Sequence, residues 1–225
     1  MSSPQIDEII RTRRKTIALI VQRDGKVIVR APLLTSQRQI MNFVHEKSDW
    51  ITETLEKIKK NPLQPPPHRF EEGEKFWYLG QQFPLSFVSN QRKILQFDHR
   101  FLLKRDYLPR AKSILEKWYK NQAREFLTDR TAFYAQKYGF SYKKINITSA
   151  RTRWGSCSTN GSISFTWRLI MAPIDVIDYV IIHELVHTRV HNHSRQFWGQ
   201  VEKIMPEFRK YRLWLKKNGT LLRFE

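Results

Sequence analysis

The spacing of apolar residues changes period several times along the chain. Thr16–Val21 and Lys26–Arg30 are short runs rich in β-branched and aliphatic residues, and Asp24-Gly25 between them suits a tight hairpin turn. From Gln37 the period lengthens. Ile40, Phe43, Val44, Ile51, Leu55 and Ile58 fall on one broad face of a helix over about 37–60, with Trp50 nearby. Asn61 and the prolines at 62, 65, 66 and 67 stop that helix and form a stiff connector over 61–67. Lys75–Gly80 and Phe83–Val88 then read as one strand pair, and Lys93–Phe97 with Arg100–Leu103 as another.

The second half is mainly helical. Pro109 to Tyr138 is the longest helical stretch, with Ile114, Leu115, Trp118, Tyr119, Ala123, Phe126, Leu127, Phe133 and Tyr134 as its apolar stripe and Gly139 as its stop. Lys144–Thr148 reads as a strand, and Asn160-Gly161 turns the chain into another over Ser162–Trp167. Pro173, Asp175 and Asp178 favour the first turns of a helix whose other positions are mostly Val, Ile, Tyr and Leu. Arg195–Ile204 is expected as a helix with Phe197, Trp198 and Val201 inward. Pro206 opens a last helix that packs Phe208, Tyr211, Leu213, Trp214 and Leu215 and ends at Asn218-Gly219. The pattern is that of an α+β protein: a β-rich region over 1–106 containing one helix, then a second domain over 107–225.

Composition sharpens this picture. A chain of 225 residues with 40% hydrophobic and 13% aromatic content can bury a sizeable core, which argues against disorder. The N-terminal residues carry no apolar signal core, and no run approaches the roughly 18 apolar residues of a membrane span. A cytoplasmic protein is expected; the lone Cys157 excludes an internal disulfide and suits a reducing compartment. The net charge of +19 would attract nucleic acid, nucleotides or anionic surfaces. It is spread along the chain, however, and the cluster Arg11, Arg13, Arg14 and Lys15 suits a solvated strand edge as well as it suits a partner.

The chemistry concentrates at His183-Glu184-Leu185-Val186-His187. On a helix of about 3.6 residues per turn the two histidines share one face, where they can hold one zinc ion, and Glu184 beside them can take a proton from a metal-activated water. A hydrolytic zinc site usually has three protein ligands, and His191 and His193 are the candidates for the third. His191 on a continued helix would lie about 12 Å along the axis from His183, and three ligands in a row surround one ion poorly. A turn at Asn192, which tolerates the left-handed conformation, followed by Ser194 as a helix cap, would swing His193 back toward the pair. That favours His193 as ligand and His191 as a pocket group. Cys157 is a further possible ligand, since two His and one Cys form a known zinc set, but a small buried thiol is commoner.

The runs Arg151-Thr152-Arg153-Trp154-Gly155-Ser156-Cys157, Trp167-Arg168-Leu169, the H-E-x-x-H helix and Asn192-His193-Ser194-Arg195-Gln196-Phe197-Trp198 resemble the YgjP-like family of SprT-related zinc metallopeptidases. Weaker agreement extends to Asp49-Trp50-Ile51 and Leu79-Gly80. The resemblance implies a small zincin-like catalytic domain: a long backing helix, a short sheet, the H-E-x-x-H helix and C-terminal helices. It implies Zn²⁺ on His183, His187 and His193, Glu184 as the catalytic carboxylate and a peptide or protein substrate. Val190 stands where the metzincin signature has glycine, so that class is not assigned. An oxyanion or substrate contact is sought among Arg151, Arg153, Trp154, His191 and Tyr211, and the segment Trp154–Cys157 is the candidate wall for an extended substrate. Two other functions fit part of the same evidence. A zinc site with Arg151 and Arg153 could hydrolyse a phosphoanhydride, although no glycine-rich phosphate loop is present. SprT-related relatives include DNA-linked proteases, so a nucleic-acid-associated protease or binding protein is the other, although no reading module is recognisable.

Overall fold

The computed structural model describes residues 6–22, 25–60, 67–222 and 224, with the side chains of 57–60 excepted. The chain divides into two compact units, Met1–Pro65 and Pro66–Glu225.

In the first unit, β1 (Glu8–Thr12) runs parallel to β3 (Val27–Pro32), and β2 (Ala18–Val21) pairs antiparallel on its other side. The hairpin expected from the aliphatic runs is β2–β3; its Asp24 and the connector residues 61–66 lie outside the described residues. β1, not foreseen, draws Ile9 against Val29. The helix expected over 37–60 is two helices, α1 (Gln37–Glu46) and α2 (Ser48–Lys60), parted at Lys47. Ser36 caps α1 by accepting from the Gln39 amide, while the Gln39 side chain accepts from the Ser36 amide. A straight helix over 37–60 would run roughly 36 Å, against about 20 Å for the six-residue β3, so the break lets both halves reach one core. Ile40, Val44 and Ile51 bury there with Val27, Val29 and Ala31, while Trp50 stays exposed. The Arg11 guanidinium donates to the Leu33 and Thr35 carbonyls, at 3.2 and 2.6 Å, and thereby ties β1 to the loop after β3.

The second unit begins with a four-stranded sheet, β4 (Lys75–Tyr78), β5 (Gln81–Val88), β6 (Leu95–Phe97) and β7 (Phe101–Lys104), in the order β4-β5-β7-β6. A 3-10 turn over Arg105–Arg110 leads into α3 (Ala111–Tyr138). Phe76, Leu85, Phe101 and Leu103 of the sheet share one core with Leu115, Tyr119 and Leu127 of α3. The Tyr119 hydroxyl donates to the Trp77 carbonyl at 2.7 Å. This shared core places the sheet and α3 in the same compact unit, which begins at Pro66. Phe133, expected on the inner stripe of α3, is exposed, because the buried line runs through Thr131 and Ala135 instead.

After Gly139, left-handed at φ 68°, come β8 (Lys144–Thr148), β9 (Gly155–Cys157) and β10 (Ser162–Thr166). β10 is central, parallel to β8 and antiparallel to β9, so β9 is an edge. A 3-10 turn over Trp167–Met171 precedes α4 (Ile174–His187), then α5 (Arg195–Ile204) and α6 (Phe208–Asn218). Leu213, expected to pack, is exposed on α6. The result is an α+β arrangement with the order expected from the sequence: a long helix, a short sheet, the helix that carries His183 to His187, and C-terminal helices. Among the described residues no helix is long and apolar enough to cross a membrane.

Candidate metal centre

α4 is apolar on all sides. Val176, Ile177, Tyr179, Val180, Ile181, Ile182, Leu185 and Val186 are all buried, so its polar side chains are carried into a medium of low dielectric. Asp178 meets that condition by pairing with Arg130 of α3, whose guanidinium donates to both carboxylate oxygens, and by accepting from the Tyr134 hydroxyl at 2.8 Å. Burial first, then the hydrogen bond to Asp178 and its charge, push the Tyr134 hydroxyl pKa up to about 12, against the lowering effect of Arg130.

Among the described residues, His183 Nδ1 and Glu184 Oε2 are buried without a hydrogen bond. Burial, helped by the neighbouring His187, His193 and Arg212, lowers His183 to about 3, and burial raises Glu184 to about 8 against the opposing pull of Arg153. Glu184 lies against the edge strand at Gly155. A Cβ there would stand 2.5 Å from Glu184 Oε1 and 2.7 Å from its Cγ, so only glycine leaves room for this carboxylate.

The chain turns immediately after His187. Thr188 Oγ1 donates to the Leu185 carbonyl at 2.7 Å, and the Val190 amide donates to Val186 at 3.0 Å. Arg189 reaches across to the carbonyls that end α3, stacking at 4.1 Å over Phe140. The helix-type bonds end at Val190, and the chain bends at Asn192. Asn192 is not left-handed; its side chain accepts from the Ser194 amide at 3.3 Å. Ser194 caps α5 by accepting from the Phe197 amide.

This turn brings His193 back to α4. Its Nε2 lies 3.0 Å from His183 Nε2 and 3.1 Å from His187 Nε2. The His187 Nδ1–H donates to the Val190 carbonyl at 3.0 Å, which leaves Nε2 as the lone-pair donor. Burial keeps His187 below its ordinary value, against the pull of that hydrogen bond. Phe197 and Trp198 of α5 wall the imidazoles, Trp198 stacking on His193 with ring centres 5.5 Å apart and Phe197 lying 4.3 Å from the His187 ring. Among the described residues, His183, His187 and His193 are the group able to hold a metal ion, with ligand atoms all within 4.8 Å of one another. Nitrogens on one tetrahedral zinc at about 2.0–2.1 Å stand roughly 3.3–3.4 Å apart, so the observed spacing needs only a small expansion. Three converging imidazole nitrogens beside a buried carboxylate suit a divalent cation.

The remaining expected residues separate. His191 is exposed and outside the three-histidine group. Arg151 and Arg153 are exposed, and the Arg153 charge is felt at Glu184. The Tyr211 hydroxyl points to Glu207, at 3.4 Å. Cys157 is not part of the histidine group, and burial first, then Glu184, raises its thiol. Trp154 lines a cavity of about 340 Å³ that opens onto His183 and Glu184 and is closed by Tyr179, Arg212 and Lys216. Those last three were missed. Tyr179 precedes His183 by one helical turn and was legible as a neighbour; Arg212 and Lys216 are two of many cations on α6 and carry no signal in the sequence.

A family model described as YgjP-like, metallopeptidase domain, matches residues 15–218. No curated protein matches the chain. Among solved structures, the crystal structure of the metallopeptidase zymogen of Pyrococcus abyssi abylysin covers 40% of this chain and 93% of its own, at 22% identity and a TM-score of 0.37, a likeness too slight to support any comparison of sites.

Proposed function

The chain belongs to the YgjP-like metallopeptidase family, and on that premise we propose that it is a zinc-dependent peptidase with His183, His187 and His193 as ligands and Glu184 as general base. The observation that carries the reading is the convergence of three imidazole nitrogens within 4.8 Å next to a buried carboxylate whose Oε2 has no hydrogen bond among the described residues. A zinc ion there would supply Lewis acidity and bring the pKa of water at that position toward about 7.

The protein's own groups supply the rest. Gly155 holds the Glu184 carboxylate at the edge of β9, so a substrate strand paired along Gly155–Cys157 passes its carbonyl in front of that carboxylate. Glu184 takes the proton of the attacking water and returns it to the leaving amine. Its preference for the protonated form, caused by burial, suits the second transfer, and a nearby cation favours the ionised form needed for the first. Tyr179, which lines the cavity, is better placed to meet a developing oxyanion than His191 or Tyr211.

The test is metal analysis of the purified protein coupled to a screen of peptides and proteins, repeated with Glu184→Gln. The variant should keep zinc and lose turnover by about 10²–10⁴-fold, the usual range for a positioned proton-transfer group. Near-wild-type turnover in a zinc-loaded variant would sink the role given to Glu184.

A further inference from the structure

The cavity beside Glu184 is not neutral. One wall is α4 and the edge of β9; the other is α6, which contributes Arg212, Leu215 and Lys216. At about 340 Å³ it lies at the small end of the range of ligand pockets, about 300–1,000 Å³. A second, shallower cavity of about 740 Å³ shares Arg212 and Lys216 and adds Arg195 and Arg209. Its one acid, Glu202, is already paired with Arg209 at 2.6 Å. Among the described residues no carboxylate pairs with Arg195, Arg212 or Lys216. A groove with uncompensated positive charge therefore starts at the hydrolytic carboxylate and runs along α6.

Arg212 is also held in place. Its guanidinium carbon lies 4.8 Å from the centre of the Trp198 ring, and Trp198 stacks in turn on His193. Stacking occupies the flat face of a guanidinium and leaves its edge N–H groups free to grip a carboxylate. The stack fixes this donor at a set distance from the histidine triad.

We propose that this cleft selects peptides with an acidic side chain close to the cleaved bond, the carboxylate seating against Arg212 and Lys216 and its methylenes against Val180, Leu215 and Trp154. The inference rests on the peptidase reading. A nucleic acid is the less favoured occupant: the inner cavity is narrow and partly apolar, and it lies beside a strand edge suited to an extended peptide.

The experiment uses the full-length, zinc-loaded protein and peptide sets that differ only by Glu, Gln or Lys at each position around the cleaved bond. At one position Glu should exceed Gln in kcat/KM by about tenfold, and the margin should shrink with salt. Arg212→Gln combined with Lys216→Gln should remove the preference, Arg212→Lys should keep most of it, and charge reversal at both should favour the Lys peptide. Binding is read separately on the zinc-loaded Glu184→Gln protein, where the Glu peptide should again bind more tightly than the Gln peptide. Cleavage without any such preference overturns the inference and leaves the peptidase reading intact. Preferential binding of the Glu peptide with no cleavage of any peptide by the parent protein overturns the peptidase reading and keeps the acid-selective site. Should a single-stranded oligonucleotide displace the Glu peptide, and the double variant lose the oligonucleotide but not the peptide, the groove belongs to nucleic acid and the inference is overturned.

Discussion

Two three-stranded sheets in this protein share one topology, and they lie in very different surroundings. In β1–β3 and in β8–β10 the last strand of the three is central, parallel to the first and antiparallel to the second. β5, β7 and β6 repeat the pattern a third time inside the four-stranded sheet. The N-terminal sheet is covered by α1 and α2, helices with an apolar stripe and a solvated back, and its antiparallel edge β2 is aliphatic throughout. The sheet of β8–β10 meets α4, a helix buried from Val176 to Ile182 and again over Glu184–Val186, and its antiparallel edge β9 begins with a glycine. Topology is thus common property of all three sheets. The candidate chemistry arises where a helix that cannot hydrate its polar side chains passes an edge strand thin enough to admit a carboxylate.

That contrast can be broken in several ways, the most damaging first. His193→Ala should lower zinc affinity by more than the roughly 10–100-fold typical of groups that act from behind a ligand, whereas His191→Ala should stay within that range or below it. Zinc retention against a graded chelator is the measurement, at a pH where free histidines are neutral, with folding checked because His193 lies between α4 and α5. A His191 variant that sheds zinc while the His193 variant holds it would mean that the histidine cluster is not the metal site.

Gly155→Ala comes next. The new methyl would have to displace Glu184, so turnover should fall by about 10–100-fold with zinc content unchanged, because a shift of an ångström or so in a reacting group costs that much. Unaltered turnover would show that the thin edge of β9 is incidental. The smallest effect is a pH trend in the metal-free protein. Glu184 moves from an ordinary 4.5 to about 8 on burial, so the folded state binds the extra proton and loses stability as pH rises through 4.5–8. Metal-free Glu184→Gln lacks that loss, and its Tm should gain on the parent steadily across this window. A constant difference between the two would mean that the carboxylate is better hydrated than its surroundings indicate.

Much of this was legible in advance, for definable reasons. The histidine pair and Glu184 follow from helical period alone, and the cap at Ser194 from side-chain chemistry. His193 was reached through a left-handed turn at Asn192; the chain does bend there, but without a left-handed φ, the Asn192 side chain instead accepting from the Ser194 amide. Helical period on α3 put Phe133 inside, but period locates a stripe only to within a residue or so, and small side chains at Thr131 and Ala135 occupy the inner line. The break at Lys47 is invisible to periodicity because Ile40, Val44 and Ile51 would fit a straight helix too. Long-range proximity is the least legible: nothing local announces that Gly155 and Glu184 touch, or that Arg212 reaches Trp198.

The hairpin of β4 and β5 has a bearing on how far the chain could be shortened. The amides of Leu79 and Gly80 donate to the carbonyls of Ile170 and Met171, at 2.9 and 3.1 Å, just before α4 begins. Gly80, at φ +81°, lies so close to Pro173 that a Cβ would come within 2.7 Å of its Cα. A fragment started at residue 107 would contain His183, Glu184, His187 and His193. It would also leave those two carbonyls without their donors and expose the faces that Phe76, Leu85, Phe101 and Leu103 cover. The smallest fragment able to retain the site should therefore start near residue 66, with a hairpin far from the histidines in sequence serving as the seat of the helix that carries them.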